Sequence, residues 1–375
     1  MTSKLRVAVV HDWLTGMRGG EAVLEGILKL YPDADLFTLL HNKGSVSEFI
    51  ENRVIRTSFI DRLPFKKSSY RNYLPLFPTA IETFEFRNYD LVISSSHCVA
   101  KGVLVPPGVP HICFVHSPMR YVWDMTGDYF PYTNMDGSPG GFFSRWVFPF
   151  FANYLRMWDS ASAPRVDRYI CNSQFVAERL RRYYGMPAGV VHPPCFASAP
   201  RIPKSQREDF FLVVSALVPY KRIDLALDAF KHLGPDFKLK IVGKGPELKR
   251  LKTQAPTNVE FLGSVSREEI SRLYASAKGL IFPGVEDFGI VPVEAQYYGC
   301  PVVALAKGGA LETVTAKTGI FFNEQSIESL SEAVRRCADN KFIPADFQKN
   351  VSHFSEAVFL TKMRQEIGKL LRQRK

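Results

Sequence analysis

Two glutamates with seven residues between them, Glu286 and Glu294, have the type and spacing to bind a ligand rich in hydroxyls. The apolar run "GLIFP" at 279–283 predicts a buried strand, and "GVEDFG" after it predicts a turn. We expect a helix to begin near 290–292, because the missing N–H of a proline is tolerated in a first helical turn. Glu286 would then lie on the turn, and Glu294 about one turn into the helix.

The turn between a parallel strand and the next helix is a common place for anion binding, because free N–H groups point there. A phosphate would accept hydrogen bonds from these N–H groups, and the two carboxylates would accept them from sugar hydroxyls. The pattern therefore predicts a ligand with both phosphates and hydroxyls. The alternative is that both glutamates only stabilise the helix N-terminus.

Other turns between strands and helices carry cations or glycines that suit a phosphate. The turn "SALVPYKRID" at 215–224 contains Lys221 and Arg222. Glycine-rich turns after strands are weak signals singly, but several that face one crevice indicate a binding site more strongly. These turns contain Gly243 with Gly245, Gly308 with Gly309, and Gly16 with Gly19 and Gly20.

Short apolar runs alternate with helical patterns along the chain, which predicts parallel α/β sheets. Ser173 and Ser266 are expected as helix N-caps, the latter in a capping box with Glu269, and Gly185 is expected to end a helix. The predicted strands are 5–10, 91–94, 111–116 and 168–173 in a first series, and 210–217, 239–243, 259–263, 279–283 and 301–305 in a second.

The two series of strands predict two domains. A proline-rich stretch without apolar periodicity at 193–209 is interpreted as the linker between them. The predicted parts are an N-terminal domain at 1–195, a C-terminal domain at 196–352 and a terminal helix at 353–375. Apolar residues at helical spacing predict that this helix packs back on the first domain, the alternative being an ordinary terminal helix on the second.

The composition is that of a globular chain, with 375 residues of which 46% are hydrophobic and 23% charged. No apolar run is long enough to span a membrane, and the start is interpreted as a strand instead of a signal peptide. Six scattered cysteines predict a reduced, cytoplasmic protein. The eight histidines lack metal-ligand spacing, so no metal and no cofactor are expected.

The formal net charge is +11, and part of it is concentrated at 53–73. Six basic residues and one acid are interleaved there with phenylalanine and tyrosine. Such a stretch suits an anionic membrane surface or nucleic acid, the alternative being a solvated loop and helix face. No recognised nucleic-acid module accompanies it, so nucleic acid is not expected as a partner.

Several motifs together resemble the family 4 retaining glycosyltransferases of the GT-B fold. The most specific is "EDFGIVPVEAQYYGCPVVA" at 286–304, which is similar to the E-x7-E signature of that family and the strand after it. The resemblance covers nearly the whole chain and implies two Rossmann-like domains facing a central cleft, with the C-terminal helix crossing back to the first. Further segments similar to bacterial polysaccharide mannosyltransferases are "HSPMRYVWD" at 116–124, "CNSQFVAERLRRYYG" at 171–185 and "VPYKRIDLALDAF" at 218–230.

The resemblance implies roles for matching residues of the second domain. Glu286 would hold hydroxyls of the transferred sugar, and Glu294 would hold the ribose of the nucleotide. Lys221 would neutralise the diphosphate, the alternative being a surface cation at a helix start. Further donor contacts would be the backbone N–H groups of Phe288, Gly289 and Ile290 toward the sugar and diphosphate, and Val265 and Arg267 near the base.

In the first domain the resemblance implies that Gly19 and Gly20 approach the diphosphate, although both also suit an ordinary turn. His116 would lie beside the donor sugar and the acceptor, the alternative being a hydrogen-bonded structural histidine at the end of a strand. Arg120 is a further candidate for contact with an acceptor or a phosphate.

One position departs from the family pattern. The first turn of the second domain usually begins with glycine-arginine or serine-arginine, whose arginine pairs with the diphosphate, but here Ser215 is followed by Ala216. Alanine cannot donate to a phosphate, so a charge-assisted contact that stabilises the leaving group is missing. Three explanations stay open: Arg222 substitutes for it, Lys221 and backbone amides suffice, or transfer is impaired.

The resemblance implies transfer of a hexose, with GDP-mannose as the first expected donor, to a hydroxyl of a glycan or lipid-linked acceptor in cell-surface polysaccharide synthesis. The alternatives are a donor-binding protein without transfer, and a GT-B sugar-nucleotide epimerase or phosphorylase. The expected location is the cytoplasm, and residues 53–73 extend this expectation to peripheral attachment at the inner face of the cell membrane.

Overall fold

A computed structural model describes residues 5–124, 126–129, 146–195 and 208–373. Its contacts divide the chain into two compact units. The first consists of Met1–Pro194 together with Ala357–Lys375, and the second is Cys195–Glu356. Most of the linker predicted at 193–209 falls at 196–207, outside the described residues.

The first unit is built on a parallel sheet. Its strands are β1 (Val7–His11), β2 (Asp35–Thr38), β3 (Ile55–Thr57), β4 (Leu91–Ser96), β5 (His111–Val115), β6 (Arg168–Cys171) and β7 (Ala188–Val190). Within the described residues they pair in parallel in the order β3-β2-β1-β4-β5-β6-β7. The central strands β1, β4 and β5 are buried along their whole length, as in sheets covered on both faces.

Helices join the strands of the first unit. They are α1 (Gly19–Leu30), α2 (Glu48–Glu51), α3 (Lys66–Ser69), α4 (Phe77–Glu82), α5 (Thr126–Tyr129), α6 (Phe148–Ser162) and α7 (Gln174–Tyr184). The Ser173 hydroxyl accepts a hydrogen bond from the N–H of Val176 at 3.1 Å, and Gly185 ends α7 with a φ of 68°. Both predicted ends of this helix are therefore confirmed.

The second unit contains a second parallel sheet. Its strands are β8 (Phe211–Val214), β9 (Leu239–Val242), β10 (Val259–Gly263), β11 (Gly279–Phe282), β12 (Val302–Leu305) and β13 (Gly319–Phe322). In the part of this unit that the structure describes, the order is β10-β9-β8-β11-β12-β13. The central position of β8 between β9 and β11 places the loops after these three strands side by side.

The helices of the second unit are α8 (Ile223–Leu233), α9 (Leu248–Gln254), α10 (Arg267–Ser276), α11 (Ile290–Tyr297), α12 (Ala310–Thr313), α13 (Ile327–Asp339) and α14 (Pro344–Ser352). The predicted N-cap of α10 is confirmed, because the Ser266 hydroxyl accepts from the N–H of Glu269 at 3.2 Å. Helix α11 begins at Ile290, as the position of Pro292 predicts.

The last helix, α15 (Glu356–Gln373), belongs almost wholly to the first unit. Its side chains Phe359, Met363 and Ile367 are buried in the same apolar cluster as strands β1 and β4. The Phe359 ring packs against α1 where Gly26 has no side chain, since a Cβ there would lie 2.7 Å from the ring. Glu366 of α15 accepts from the Arg168 guanidinium at 2.8 Å, which fixes the helix on the first sheet.

Candidate functional site

The loops at the carboxyl edge of the second sheet pack directly against each other. A Cβ on Gly243, after β9, would overlap the carbonyl oxygen of Ser215, after β8. A Cβ on Gly309, after β12, would overlap the backbone of Phe288, after β11, and the N–H of Gly309 donates to the carbonyl of Glu286 at 2.8 Å. The glycines that sequence patterns assign to a ligand thus serve close packing between neighbouring loops. Their contact with a ligand stays a prediction.

This packing brings Lys221 and Glu286 together. Lys221 ends a 3-10 turn after β8, and Glu286 lies on the turn after β11. The Lys221 ammonium forms an ion pair with the Glu286 carboxylate, and their side chains are only 15% and 25% exposed. In this structure the positive charge of Lys221 therefore compensates the negative charge of Glu286. An anionic ligand that binds Lys221 would have to share this ammonium with Glu286 or take the place of the carboxylate.

Arg222 occupies a conformation that is costly for a residue with a side chain. Its φ is 54°, in the left-handed region, where a non-glycine residue loses about 1–2 kcal/mol. Its guanidinium Nε lies 3.2 Å from the Asp224 carboxylate, and its Nη1 lies 3.3 Å from Oε1 of Gln325. Ala216, at the start of the same loop, is exposed. Strained backbone of this kind occurs often at functional sites.

Glu294 has a different set of neighbours from Glu286. Its carboxylate accepts from the Tyr274 hydroxyl at 3.4 Å, on α10. Burial raises the pKa of Glu294 to about 7, although the positive charge of Arg267 and the Tyr274 hydrogen bond oppose the shift. The structure thus places Glu294 near Arg267, and Val265 packs on the same apolar cluster as Tyr274. Because their neighbours differ, the two glutamates are better placed to bind separate parts of one ligand than to bind the same group together.

The segment 288–290 forms the entry to α11. Gly289 precedes the helix with a φ of 86°, which glycine adopts without strain, and it has no side chain to cap the first N–H groups. Phe288 is buried, with its ring 5.7 Å from that of Phe354. This anchor fixes the backbone beside Glu286, so the N–H groups that begin α11 are held at the turn.

In the first unit, His116 lies just after β5 beside two other histidines. Its Nε2 is 2.8 Å from the Ser95 hydroxyl. Burial, followed by the charges of His97, His11 and Arg120, holds the pKa of the His116 imidazole well below its ordinary value. The contacts predicted for His116 and Arg120 with a donor sugar, an acceptor or a phosphate stay predictions.

The two glycines that begin α1 differ in their surroundings. A Cβ on Gly20 would lie 3.7 Å from the His11 ring and 3.9 Å from Nε2 of His116. Gly19 has open space around it. Gly20 thus borders the histidines, and a side chain at this position would reduce the room beside His116.

Sequence reasoning missed His11, His97, Ser95 and Asp12 of this region. The Asp12 carboxylate accepts from four consecutive N–H groups, those of residues 97–100, at 2.6–3.0 Å. The N–H groups after β4 that could bind an anionic ligand are therefore already bound by this side chain. Each of the neighbouring strands β1, β4 and β5 ends at, or within two residues of, a histidine, in "VVHD", "SSSH" and "FVHS". This repeated pattern is the signal that would have found the cluster.

Among the residues that the structure describes, no group of three or more His, Cys, Asp or Glu is placed to hold a metal.

Two family profiles together match most of the chain. Residues 197–354 match the family described as "Glycosyl transferases group 1", and residues 33–194 match "Glycosyltransferase Family 4". The chain belongs to the group 1, family 4 glycosyltransferases. The family named from the sequence motifs is thereby confirmed, and Glu286, Glu294 and Lys221 all fall in the group 1 part of this glycosyltransferase.

Curated relatives of this family 4 chain include two actinobacterial proteins. A GDP-mannose-dependent monoacylated α-(1-6)-phosphatidylinositol monomannoside mannosyltransferase of Corynebacterium glutamicum is 30% identical over 197 residues, covering 45% of this chain and 52% of the relative. A GDP-mannose-dependent α-(1-6)-phosphatidylinositol monomannoside mannosyltransferase of Mycolicibacterium smegmatis is 32% identical over 192 residues, with shares of 43% and 50%. The chain thus spans about half the length of these relatives.

A solved structure of another protein has a similar fold. The Anabaena protein Alr3699/HepE, in complex with UDP and glucose, matches with a TM-score of 0.66 at 17% identity, over 98% of this chain and 100% of that one. Together with the two parallel sheets, this likeness confirms the predicted GT-B fold with two Rossmann-like domains.

Proposed function

We propose that this chain transfers a hexose from a nucleotide diphosphate sugar to a hydroxyl of a glycan or lipid-linked acceptor in cell-surface polysaccharide synthesis, with retention at the anomeric carbon. The observation that carries the proposal is the Lys221–Glu286 ion pair on adjacent loops, directly before the N-terminus of α11. The ion pair supplies a cation for a diphosphate and a carboxylate for sugar hydroxyls at the carboxyl edge of the second sheet.

The chemical difficulty of this reaction is the charge that separates as the diphosphate leaves an oxocarbenium-like sugar. In the proposal Lys221 and the N–H groups of Phe288, Gly289 and Ile290 stabilise the departing negative charge. Donor binding shifts Lys221 from Glu286 toward the diphosphate and leaves Glu286 to accept from hydroxyls of the sugar. The proposal uses no metal ion, and activity that persists with a chelator present is its expected consequence.

The proposed donor is GDP-mannose, which the names of both curated relatives specify for those proteins. Because the Anabaena structure contains UDP and glucose, a test panel must pair each base with each sugar. Thermal-shift measurements should show stabilisation by about 2.7 kcal/mol when the true donor is at a hundred times its dissociation constant. Product formation with hydroxyl acceptors then tests transfer, and a panel without any stabilising nucleotide sugar would refute the proposal.

Ala216 favours one second candidate, a protein that binds the donor without transferring it. The exposed alanine offers no donor group where relatives of this fold, by resemblance, carry arginine. Donor binding without turnover over a broad set of acceptors would support this candidate. A change in the sugar nucleotide without any acceptor would instead indicate an epimerase.

Donor affinity should depend on pH through Glu294. The carboxylate pKa of about 7 means that a neutral acid predominates below this pH, and hydroxyls of a ribose donate best to the ionised form. GDP-mannose should therefore bind roughly tenfold more tightly at about pH 8 than at about pH 6. Calorimetry measures this directly, and the diphosphate diester of the sugar nucleotide has no proton of its own to lose in this range.

The matched variant for this measurement is Glu294→Gln, which keeps the shape of the side chain and cannot ionise. Its affinity should be weaker and nearly constant over the same range. An equal pH dependence in both proteins would exclude Glu294 as its source.

We propose further that residues 53–73 dock on an anionic membrane that presents a lipid-linked acceptor. Among the cations of this segment, Lys66 pairs with Asp61 at 2.6 Å and Arg53 donates to the carbonyl of Pro32 at 2.8 Å. Arg62, Lys67 and Arg71 are exposed, and Phe65 beside them is 76% exposed. Cations around a protruding aromatic ring suit an anionic lipid surface.

Other exposed apolar side chains of this unit support the membrane proposal. Trp146 and, on α6, Phe150, Tyr154 and Met157 are exposed, and tryptophan and tyrosine are enriched where proteins meet lipid headgroups. Among the described residues no helix is both long and apolar enough to cross a bilayer. The proposed attachment is therefore to the surface.

Reversing two exposed cations tests the membrane proposal. Arg62→Glu together with Lys67→Glu should lower binding to phosphatidylserine-containing liposomes at least about tenfold, because each basic residue near such a surface contributes about 1 kcal/mol. The control is Lys249→Glu with Lys252→Glu, which makes the same charge change at exposed sites of the second unit. Equal co-sedimentation of both variants would contradict the proposed surface.

A further inference from the structure

A chain of polar atoms runs through the buried part of the first unit. Oε1 of Glu21, on α1, lies 4.0 Å from Nε2 of His11, at the end of β1. Nδ1 of His11 lies 3.1 Å from the Ser95 hydroxyl on β4, and that hydroxyl lies 2.8 Å from Nε2 of His116, after β5. The three strands are neighbours in the sheet, so the chain connects one acid to one ligand-side histidine.

The Glu21 end of this chain is buried and charged. His11 is fully buried, and its Nε2 has no partner within hydrogen-bond distance, which leaves the Glu21 carboxylate as its nearest acid. Oε2 of Glu21 accepts from the N–H of Arg18 at 3.0 Å. Burial opposes ionisation of Glu21, but its interactions with His11 and its own backbone lower the pKa of the carboxyl below its usual value.

The proton positions along the chain follow from the ionised carboxylate. A proton on Nε2 of His11 faces Glu21 favourably, whereas a lone pair there would repel the carboxylate in a buried place. For a neutral His11 ring, the lone pair is then on Nδ1, and the Ser95 hydroxyl donates to it. Having given its only proton to His11, Ser95 accepts from Nε2–H of His116.

The third histidine of this region, His97, does not change these proton positions. Nδ1 of His97 lies 3.1 Å from the Asp12 carboxylate, so its proton belongs to that pair. The ring centres of His97 and His116 are 6.2 Å apart, with no hydrogen bond between them. The chain from Glu21 to His116 therefore has one consistent arrangement of protons for neutral rings.

We propose that Glu21 is a positioning residue that holds His116, through His11 and Ser95, in the tautomer with its proton on Nε2 and its lone pair on Nδ1. His116 thereby accepts a hydrogen bond from a hydroxyl of the sugar or of the acceptor. The part about the ligand rests on the proposed function, while the tautomer does not. An acid that selects the tautomer of a ligand-side histidine is a known device in hydrolases.

The tautomer is measured directly by long-range 1H–15N correlation spectra of uniformly 15N-labelled full-length protein. In the native protein, His116 should show a protonated Nε2 and an unprotonated Nδ1. Glu21→Leu should shift His116 to a mixture of tautomers or to the opposite one, and Glu21→Gln, whose carbonyl can still accept, should restore the native signals in part. The control Glu25→Leu changes the next acid of α1, whose partner is Ser47 at 3.2 Å, and should leave His116 unchanged.

Because Glu21 also accepts from the backbone of Arg18, Glu21→Leu risks loss of folding. Ser95→Ala then provides the second test, since it should release the His116 tautomer while Glu21 stays in place. His116 with its proton on Nδ1 in the native protein, or unchanged signals in both folded variants, would overturn the proposal. In transfer assays Glu21→Leu should lower turnover at least about tenfold. A confirmed tautomer without any nucleotide-sugar binding would refute the proposed function instead.

Discussion

Glu286→Gln should lower the turnover of the sugar donor by about a hundred- to a thousandfold, while donor affinity changes little. The substitution removes the carboxylate that we propose to hold the transferred sugar, and it leaves Lys221 half-buried without its ionic partner. An uncompensated cation continues to attract the diphosphate. The loss should therefore appear in the rate at saturating donor, measured by product release, and calorimetry should show an affinity close to that of the native protein.

Lys221→Met provides the matched change on the other side of the ion pair. It removes the charge that stabilises the leaving diphosphate, so both the rate and the affinity should fall. The double variant should be less impaired than the product of the two single losses, because neither charge is left alone in the site. Strictly multiplicative losses would show that the two side chains act on the donor independently.

Glu294→Ala separates the second glutamate from the first. Its place beside Tyr274 and Arg267 predicts that it weakens nucleotide binding more than Glu286→Ala does. Binding losses of equal size would contradict the division between a sugar side and a ribose side. The distinction is measurable with the nucleotide alone, because the free nucleotide has no transferred sugar for Glu286 to hold.

The parts of the fold that sequence predicted are those with strong local signals. Strand β11 is a short buried apolar run, β4 begins with one, and α7 and α10 begin at serine caps. Strand β2 and the edge strands β3, β7 and β13 were missed. Neither β3 nor β7 contains a buried residue, so both lack a buried apolar run and depend on pairing with a neighbouring strand, which local patterns do not record.

The candidate site was predictable where its chemistry lies on one segment. Glu286, Glu294 and the start of α11 follow from spacing alone, since a strand, a turn and a helix determine their relative positions. The His11–Ser95–His116 chain combines residues up to 105 positions apart in sequence, and it depends on strand order. The loop packing at Gly243 and Gly309 also needs neighbours that only the folded sheet supplies.

Arg222→Gly should leave the stability of the protein within about 1 kcal/mol of the native value, yet lower turnover by about a hundredfold. Glycine adopts the φ of 54° without the clash of a Cβ, and this relief offsets its greater loss of chain entropy on folding. The guanidinium, however, is the group that replaces the arginine missing at Ala216 in the first of the three explanations for that position, and this prediction tests that explanation. Denaturant unfolding and a product assay measure the two effects separately.

The control for this change is Phe65→Gly, at the other described non-glycine residue with positive φ, 55°. It should alter stability to a similar degree and leave turnover with a soluble acceptor unchanged. Ala216→Arg in the Arg222→Gly background should recover activity, because it returns a charge-assisted donor to the same loop. If Arg222→Gly keeps native turnover, Lys221 and the amides before α11 suffice for the leaving group. If only Ala216→Arg creates turnover that the native chain lacks, the native protein binds the donor without transferring it.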